Sequence, residues 1–176
     1  MDGGCVAMAN FLDLLLAGNH EVKHLTVATN KHPFTISNYP TEITQITSVE
    51  SVHINTDVKP LKAFLALFKK GSYNVSRFYS DEMNSLVKTA LSNEKFDVVI
   101  LESLFSTVYL ASIRSYFKGK VYLRSHNIEF QIWEDITNNC GNWLKRKYFK
   151  RLTSDLKRYE LDTIQQLDGI LTISTA

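Results

Sequence analysis

Cysteine is nearly missing from this chain. Cys5 and Cys140 are the only two in 176 residues. They stand far apart and do not form a metal-type spacing, and a disulfide framework needs more of them. A reduced, cytoplasmic protein is therefore expected. No apolar run approaches the roughly 20 residues that span a bilayer. No basic segment leads into an apolar one near Met1, so no secretory signal is expected. The acyl-hydrolase elbow GxSxG is absent. So are GxGxxG and the Walker A loop, which removes the standard dinucleotide and nucleotide-triphosphate fingerprints. No metal site is expected. There is no repeat and no low-complexity stretch.

What is present is an ordinary globular composition, 44% hydrophobic and 22% charged, enough for one domain with a sizeable core. Net charge is only +2, but it is unevenly placed. From Trp143 to Arg158 there are seven basic residues (Lys145, Arg146, Lys147, Lys150, Arg151, Lys157 and Arg158) against the single acid Asp155, so this segment is +6 and the remainder −4. The same segment places Leu144, Tyr148, Leu152, Leu156 and Tyr159 at helical spacing, which makes an apolar face with cations opposite. The plainer reading is a core helix with a solvated face. The sharper one is a patch, within a helix over 143–166, that touches anionic lipid or a phosphorylated acceptor. Aromatics interleaved with the cations for base stacking are not evident, so nucleic acid is not expected as a partner.

Strand-like and helix-like segments alternate along the chain. Helices are expected over 3–17 with Gly18 at C′, over 61–70 stopped by Gly71, over 80–93 with a Ser80 or Asp81 cap, over 104–117 ended by Gly119, from about Ile128, and from about Asn142 to Gln166. Strands are expected at "EVKHLTVAT" (21–29), "VESVHIN" (49–55), "FDVVILES" (96–103), "KVYLRS" (120–125) and "GILTIS" (169–174). A Pro-containing connection over 30–48, with a short helix after Pro40, lies between the first two strands. Strands separated by helices imply βαβ units and a parallel sheet. The expected fold is α/β, a doubly wound, mainly parallel, Rossmann-like sheet flanked by helices. Ligands of such sheets bind outside the carboxyl ends of the strands.

That rule directs attention to "LRSHNIEFQIW". A strand stops at Ser125, and His126, Asn127 and Glu129 follow. An imidazole titrates near neutral pH and can act as a base or hydrogen-bond a sugar hydroxyl. An amide and a carboxylate beside it at a strand end favour a functional reading over a structural one. Glu102 and Ser103 close the strand "FDVVILES" in the same way, although capping of the next helix would also explain them. Gly3 and Gly4 precede a helix, where backbone N–H groups meet anions readily; plain turn chemistry explains them equally well.

Taken in order, "DGG" before a helix, "GNHEV", "FDVVILES", "LRSHNIEFQIW" and "YELDTIQQLDGILTIS" resemble the N-terminal domain of bacterial retaining glycosyltransferases of the GT-B fold, the family 4 group. The resemblance spans nearly the whole chain. It implies two Rossmann-like domains around a cleft, with the acceptor (a glycan, a lipid-linked compound or a small molecule) received mainly by the N-terminal one. The C-terminal domain would hold the nucleotide-sugar donor, and no metal or other cofactor would be needed. On this resemblance His126 lies near the transferred sugar, Gly3 and Gly4 lie near the donor diphosphate, and Glu102, Ser103, Asn127 and Glu129 border the cleft. Residues 1–176 would form a single acceptor-side domain, a fragment of a two-domain cytoplasmic enzyme that also sits peripherally at the inner membrane face. Two departures are evident: the family's first strand and its donor domain are not found here. If the first strand is missing, "EVKHLTVAT" and "FDVVILES" are expected to pair directly into one five-stranded sheet. The rival readings are a flavodoxin-like or receiver-like binding module and a GT-B sugar-nucleotide epimerase. A receiver would show clustered acids after its first strand and a Lys after its last, and neither is evident.

Overall fold

The computed structural model of the chain describes residues 3–34, 48–57 and 71–172. The chain divides into two compact units, residues 1–56 with 80–85, and residues 57–79 with 86–176. The helix expected over 61–70 and the connection over 35–47 lie outside the described residues, as do 173–174 of the last strand.

The first unit contains helix α1 (Gly3–Ala17) and strands β1 (Lys23–Ala28) and β2 (Ser48–His53). β1 and β2 pair in parallel, with Lys23 opposite Ser48 and Ala28 opposite His53. Lys23 adds an ion pair to Glu50 at 2.9 Å. α1 ends in a Schellman motif, with His20 N–H donating to the Leu15 carbonyl and Asn19 N–H to that of Leu16. The left-handed C′ residue is therefore Asn19 (φ +56°), not Gly18. Asparagine is one of the few non-glycine residues that tolerate this conformation.

The second unit is built on a three-stranded parallel sheet of β3 (Val98–Glu102), β4 (Lys120–Ser125) and β5 (Gly169–Thr172), in that order. β4 is central, and Val121 and Leu123 are fully buried. Helices α2 (Tyr73–Ser76), α3 (Asp81–Asn93), α4 (Ser103–Ser106), α5 (Leu110–Tyr116), α6 (Glu129–Asn138) and α7 (Trp143–Ile164) complete the described chain. Ser80 caps α3 by accepting from Met83 N–H at 3.0 Å, and Asn142 caps α7 by accepting from Lys145 N–H at 3.0 Å. Val75 of α2, Leu104 of α4 and Leu156 of α7 form a buried cluster, with Phe130, Trp133 and Tyr159 packed around it.

All three strand pairings among the described residues are parallel, and described helices lie between β2 and β3, between β3 and β4, and between β4 and β5. This is the α/β, doubly wound, Rossmann-like architecture the alternation predicts. Three expectations are corrected. The single helix over 104–117 is broken into α4, a 3-10 turn over Thr107–Tyr109, and α5. Ser106 Oγ donates to the Ser103 carbonyl and Thr107 Oγ1 to the Leu104 carbonyl. Hydroxyls bonded back to carbonyls in this way compete with the helical ladder. Gly119 does not terminate that helix by its own conformation. Phe117, at the C-cap, is already extended, and a Cβ at Gly119 would collide with the Phe117 ring. Finally, β1 and β3 do not pair; the strands form two separate sheets. The two strands belong to different compact units of the chain, each with its own strand pairing.

Candidate functional site

β3 and β4 run side by side with Glu102 opposite Arg124. Residues two apart on a strand share a face. Arg124 and His126, the residue just past β4, are placed to meet Glu102 on one side of the sheet. His126 Nε2 lies 2.7 Å from Glu102 Oε2. Arg124 Nη1 donates to both oxygens of Glu102, at 3.2 and 3.1 Å. The Arg124 and His126 side chains are 10% and 8% exposed, and Glu102 is 26% exposed. The carboxylate thus accepts from the imidazole Nε2–H with a guanidinium in attendance. That bond fixes the tautomer and leaves the Nδ1 lone pair available; among the described residues Nδ1 has no hydrogen-bond partner. An imidazole oriented by a carboxylate can accept a proton or hydrogen-bond a hydroxyl. Ionised groups this well buried cost free energy unless paired, so the cluster persists because its members satisfy one another.

The backbone on both sides of the cluster is bent sharply. Ser103 has φ +64°, a left-handed conformation that costs a non-glycine residue about 1–3 kcal/mol. Its hydroxyl accepts from Phe105 N–H only at 3.4 Å, a length at which little is recovered. After β4, Ser125 Oγ donates to the Asn127 carbonyl at 2.8 Å and turns the chain toward α6. The Asn127 side chain lies beside the Glu129 carboxylate. Burial pushes the Glu129 carboxyl above the ordinary glutamate range, and the nearby Glu160 carboxylate adds to the rise; Asn127 and His126 oppose it.

Glu160, from α7, accepts from the N–H groups of Glu129 and Phe130 at 3.1 and 3.0 Å. It is almost wholly buried. Burial raises its pKa, and the two backbone hydrogen bonds oppose that rise. The cap of α6 is therefore this remote carboxylate. It neutralises orphan amides at a helix N-terminus and anchors the His126 loop to α7.

The structure brings Glu102, Ser103, His126, Asn127 and Glu129 together at the carboxyl ends of β3 and β4. Gly3 and Gly4 belong to the other unit, where they are the first two residues of α1. Sequence reasoning missed Arg124 and Glu160. Each carried a signal: Arg124 is a charge inside the apolar run "KVYLRS", and Glu160 is an acid on the apolar side of a helix. Sequence reasoning also passed over the string His20-Glu21-Val22-Lys23-His24, which spells the zinc pattern HExxH. That pattern works on a helix, where both histidines share a face. Here Lys23 and His24 open β1. Among the described residues no group of three or more His, Cys, Asp or Glu is placed to hold a metal. In comparison with known proteins, no family model, curated protein or solved structure matches the chain.

Proposed function

We propose that this chain is the acceptor-side domain of a glycosyltransferase that moves a hexose from a nucleotide sugar to an acceptor hydroxyl. In that reaction the acceptor oxygen bonds to the anomeric carbon while the bond to the diphosphate oxygen breaks. The nucleoside diphosphate leaves with the electron pair, and the hydroxyl proton passes to it or to solvent. The observation that carries the reading is His126 at the carboxyl end of β4, held at Nε2 by Glu102 with Nδ1 left for a hydroxyl of the transferred sugar. Arg124 pairs with Glu102, and Asn127 with Glu129 holds the loop. The part given to Gly3 and Gly4, N–H groups for the donor diphosphate, rests on sequence resemblance alone. In this reading no metal is required.

A membrane-borne acceptor suits the amino end of α7. Trp143 and Leu144 are 71% and 59% exposed, and Lys145, Arg146, Lys147 and Lys150 beside them are exposed as well. Exposed aromatic and aliphatic groups ringed by cations are the composition of a peripheral contact with anionic lipid.

The test is release of nucleoside diphosphate from a panel of nucleotide hexoses by the complete gene product. His126→Ala is expected to lower turnover by about a hundredfold or more while the melting temperature stays within a few degrees. Wild-type turnover in that variant, or no turnover with any nucleotide sugar, would overturn the reading.

A further inference from the structure

The α2, α6 and α7 helices enclose a cavity of about 310 Å³, at the small end of the range for small-molecule sites. Its walls are rings: Tyr73 from α2, Trp133 from α6, and Tyr148 and Phe149 from α7. Trp133 and Phe149 meet edge to face, 5.9 Å between centroids. Leu152 of α7 and two polar side chains of α2 and its C-cap, Asn74 and Arg77, complete the lining. Asn74 is only 3% exposed, and among the described residues its Nδ2 has no hydrogen-bond partner. Arg77 Nε is buried and equally without a partner among them. The Arg77 guanidinium lies over the Phe78 ring, 5.2 Å from its centroid, and that ring brings no formal charge.

Buried polar groups are almost always hydrogen-bonded. Here two residues that line one cavity each carry an orphaned donor, and one of them is a permanent cation. What they lack is an acceptor-only, negatively charged group small enough to reach both, and a carboxylate is that group. The rest of the wall is apolar and flat, which suits an aromatic ring stacked or set edge-on against its neighbours. Burial, with Tyr73 close by, raises the pKa of the Tyr148 hydroxyl, so this wall stays neutral and adds no charge to repel an anion. The cations along α7 favour approach of an anion from solvent.

We propose that this cavity binds a small aromatic carboxylate, with the carboxylate on Arg77 and Asn74 and the ring against Trp133 and Phe149. None of the residues of the Glu102–Arg124–His126 cluster lines it, so this site stands or falls independently of the glycosyl-transfer reading.

The experiment compares naphthoate with its neutral isostere naphthamide. Trp143→Phe leaves Trp133 as the sole tryptophan. Its indole N–H resonance in a nitrogen–proton correlation spectrum is followed during titration. Naphthoate is expected to shift it and to bind about tenfold or more tighter than naphthamide, as a charge-assisted pair requires. Arg77→Gln is expected to erase that preference while leaving naphthamide affinity unchanged. Equal affinity for the two compounds, absence of binding by both, or a preference that survives Arg77→Gln would each overturn the proposal. Should Arg77→Gln fail to fold, Asn74→Leu serves in its place: weaker naphthoate binding supports the site, and unchanged affinity overturns it.

Discussion

Ser103 is the residue at which local chemistry and global demand disagree most. Its left-handed backbone carries strain of about 1–3 kcal/mol, and glycine would remove that strain while losing about 0.5–1 kcal/mol of unfolded-chain entropy. The difference favours glycine. Ser103→Gly is expected to raise stability by about 1 kcal/mol, and Ser103→Val, β-branched in a conformation such residues avoid, to lower it by about 1 kcal/mol or more. Urea denaturation of the two variants checks the pair; a loss of stability in Ser103→Gly would show that the hydroxyl matters more than the backbone. At this scale the sequence was partly readable. Position at a strand end singled out Glu102, Ser103, His126, Asn127 and Glu129, because parallel sheets present their carboxyl ends to ligands. The strain at Ser103 was not readable, since only glycine announces a positive φ in the sequence. Nor was the partnership of Glu102 with Arg124, which depends on the register of two strands 22 residues apart in sequence.

Among the elements, α6 and α7 show what periodicity can and cannot say. It placed α7 correctly and found Leu152 and Leu156, which are buried. It also put Leu144 on the buried face, where the structure exposes it. Thr137, one residue from the end of α6, meets Thr153 at 3.0 Å, so the first turn of α7 extends past its partner helix, and α6 does not cover Leu144. Helical spacing reports a face; only the length of the neighbour decides how much of that face is covered. The cations differ too. Arg151 and Arg158 pair with Asp155, Lys157 pairs with Glu134 and lies 4.6 Å from the Phe130 ring centre, and Arg146 Nε donates to the Cys140 carbonyl. Lys145, Lys147 and Lys150 carry no such pairing among the described residues. Each contributes about 1 kcal/mol to binding an anionic surface. In co-sedimentation, vesicles containing phosphatidylglycerol are therefore expected to bind this protein on the order of a hundredfold more tightly than neutral ones at low salt. Lys145→Glu with Lys147→Glu, or Trp143→Ser with Leu144→Ser, is expected to abolish the difference. Equal binding to both vesicles, or none, would leave α7 with only a solvated face.

At the scale of the whole molecule, the β3–β4–β5 sheet has a charged cluster at each end, and the two differ in kind. At the carboxyl end, Glu102, Arg124 and His126 leave an imidazole nitrogen for a ligand. At the amino end, Asp168 uses both oxygens internally: Oδ2 accepts from Val121 N–H at 2.9 Å and from Arg114 Nη2 at 2.8 Å, and Oδ1 accepts from Lys120 Nζ at 3.0 Å. The Val121 amide, then Arg114 and Lys120, hold the Asp168 carboxyl well below the ordinary aspartate range. A carboxyl whose folded-state pKa is depressed contributes stability that is present above its unfolded value, about 3.9, and is lost as pH falls through the folded value. Glu129 and Glu160 work with the opposite sign. Their folded-state values are raised, so their contribution is complete below the ordinary glutamate value, about 4.3, and is lost as pH rises through the raised one. These terms predict a melting temperature that rises as pH is lowered from neutrality toward the ordinary carboxylate range and falls once the pH drops below it. Asp168→Asn is expected to lower the melting temperature at neutral pH and to flatten the acid limb, and, on the proposed glycosyl-transfer reading, to leave turnover of nucleotide sugars unchanged. Glu102→Gln is expected to lower turnover at temperatures where the protein is folded, and also to lower the melting temperature, because it takes the carboxylate from the buried Arg124 guanidinium. Scanning calorimetry from pH 7 to about pH 2 and the turnover assay, run on both variants, measure the two ends separately. If Asp168→Asn lost turnover in proportion to Glu102→Gln at a temperature where both are folded, the division between a structural end and a functional end of this sheet would be wrong.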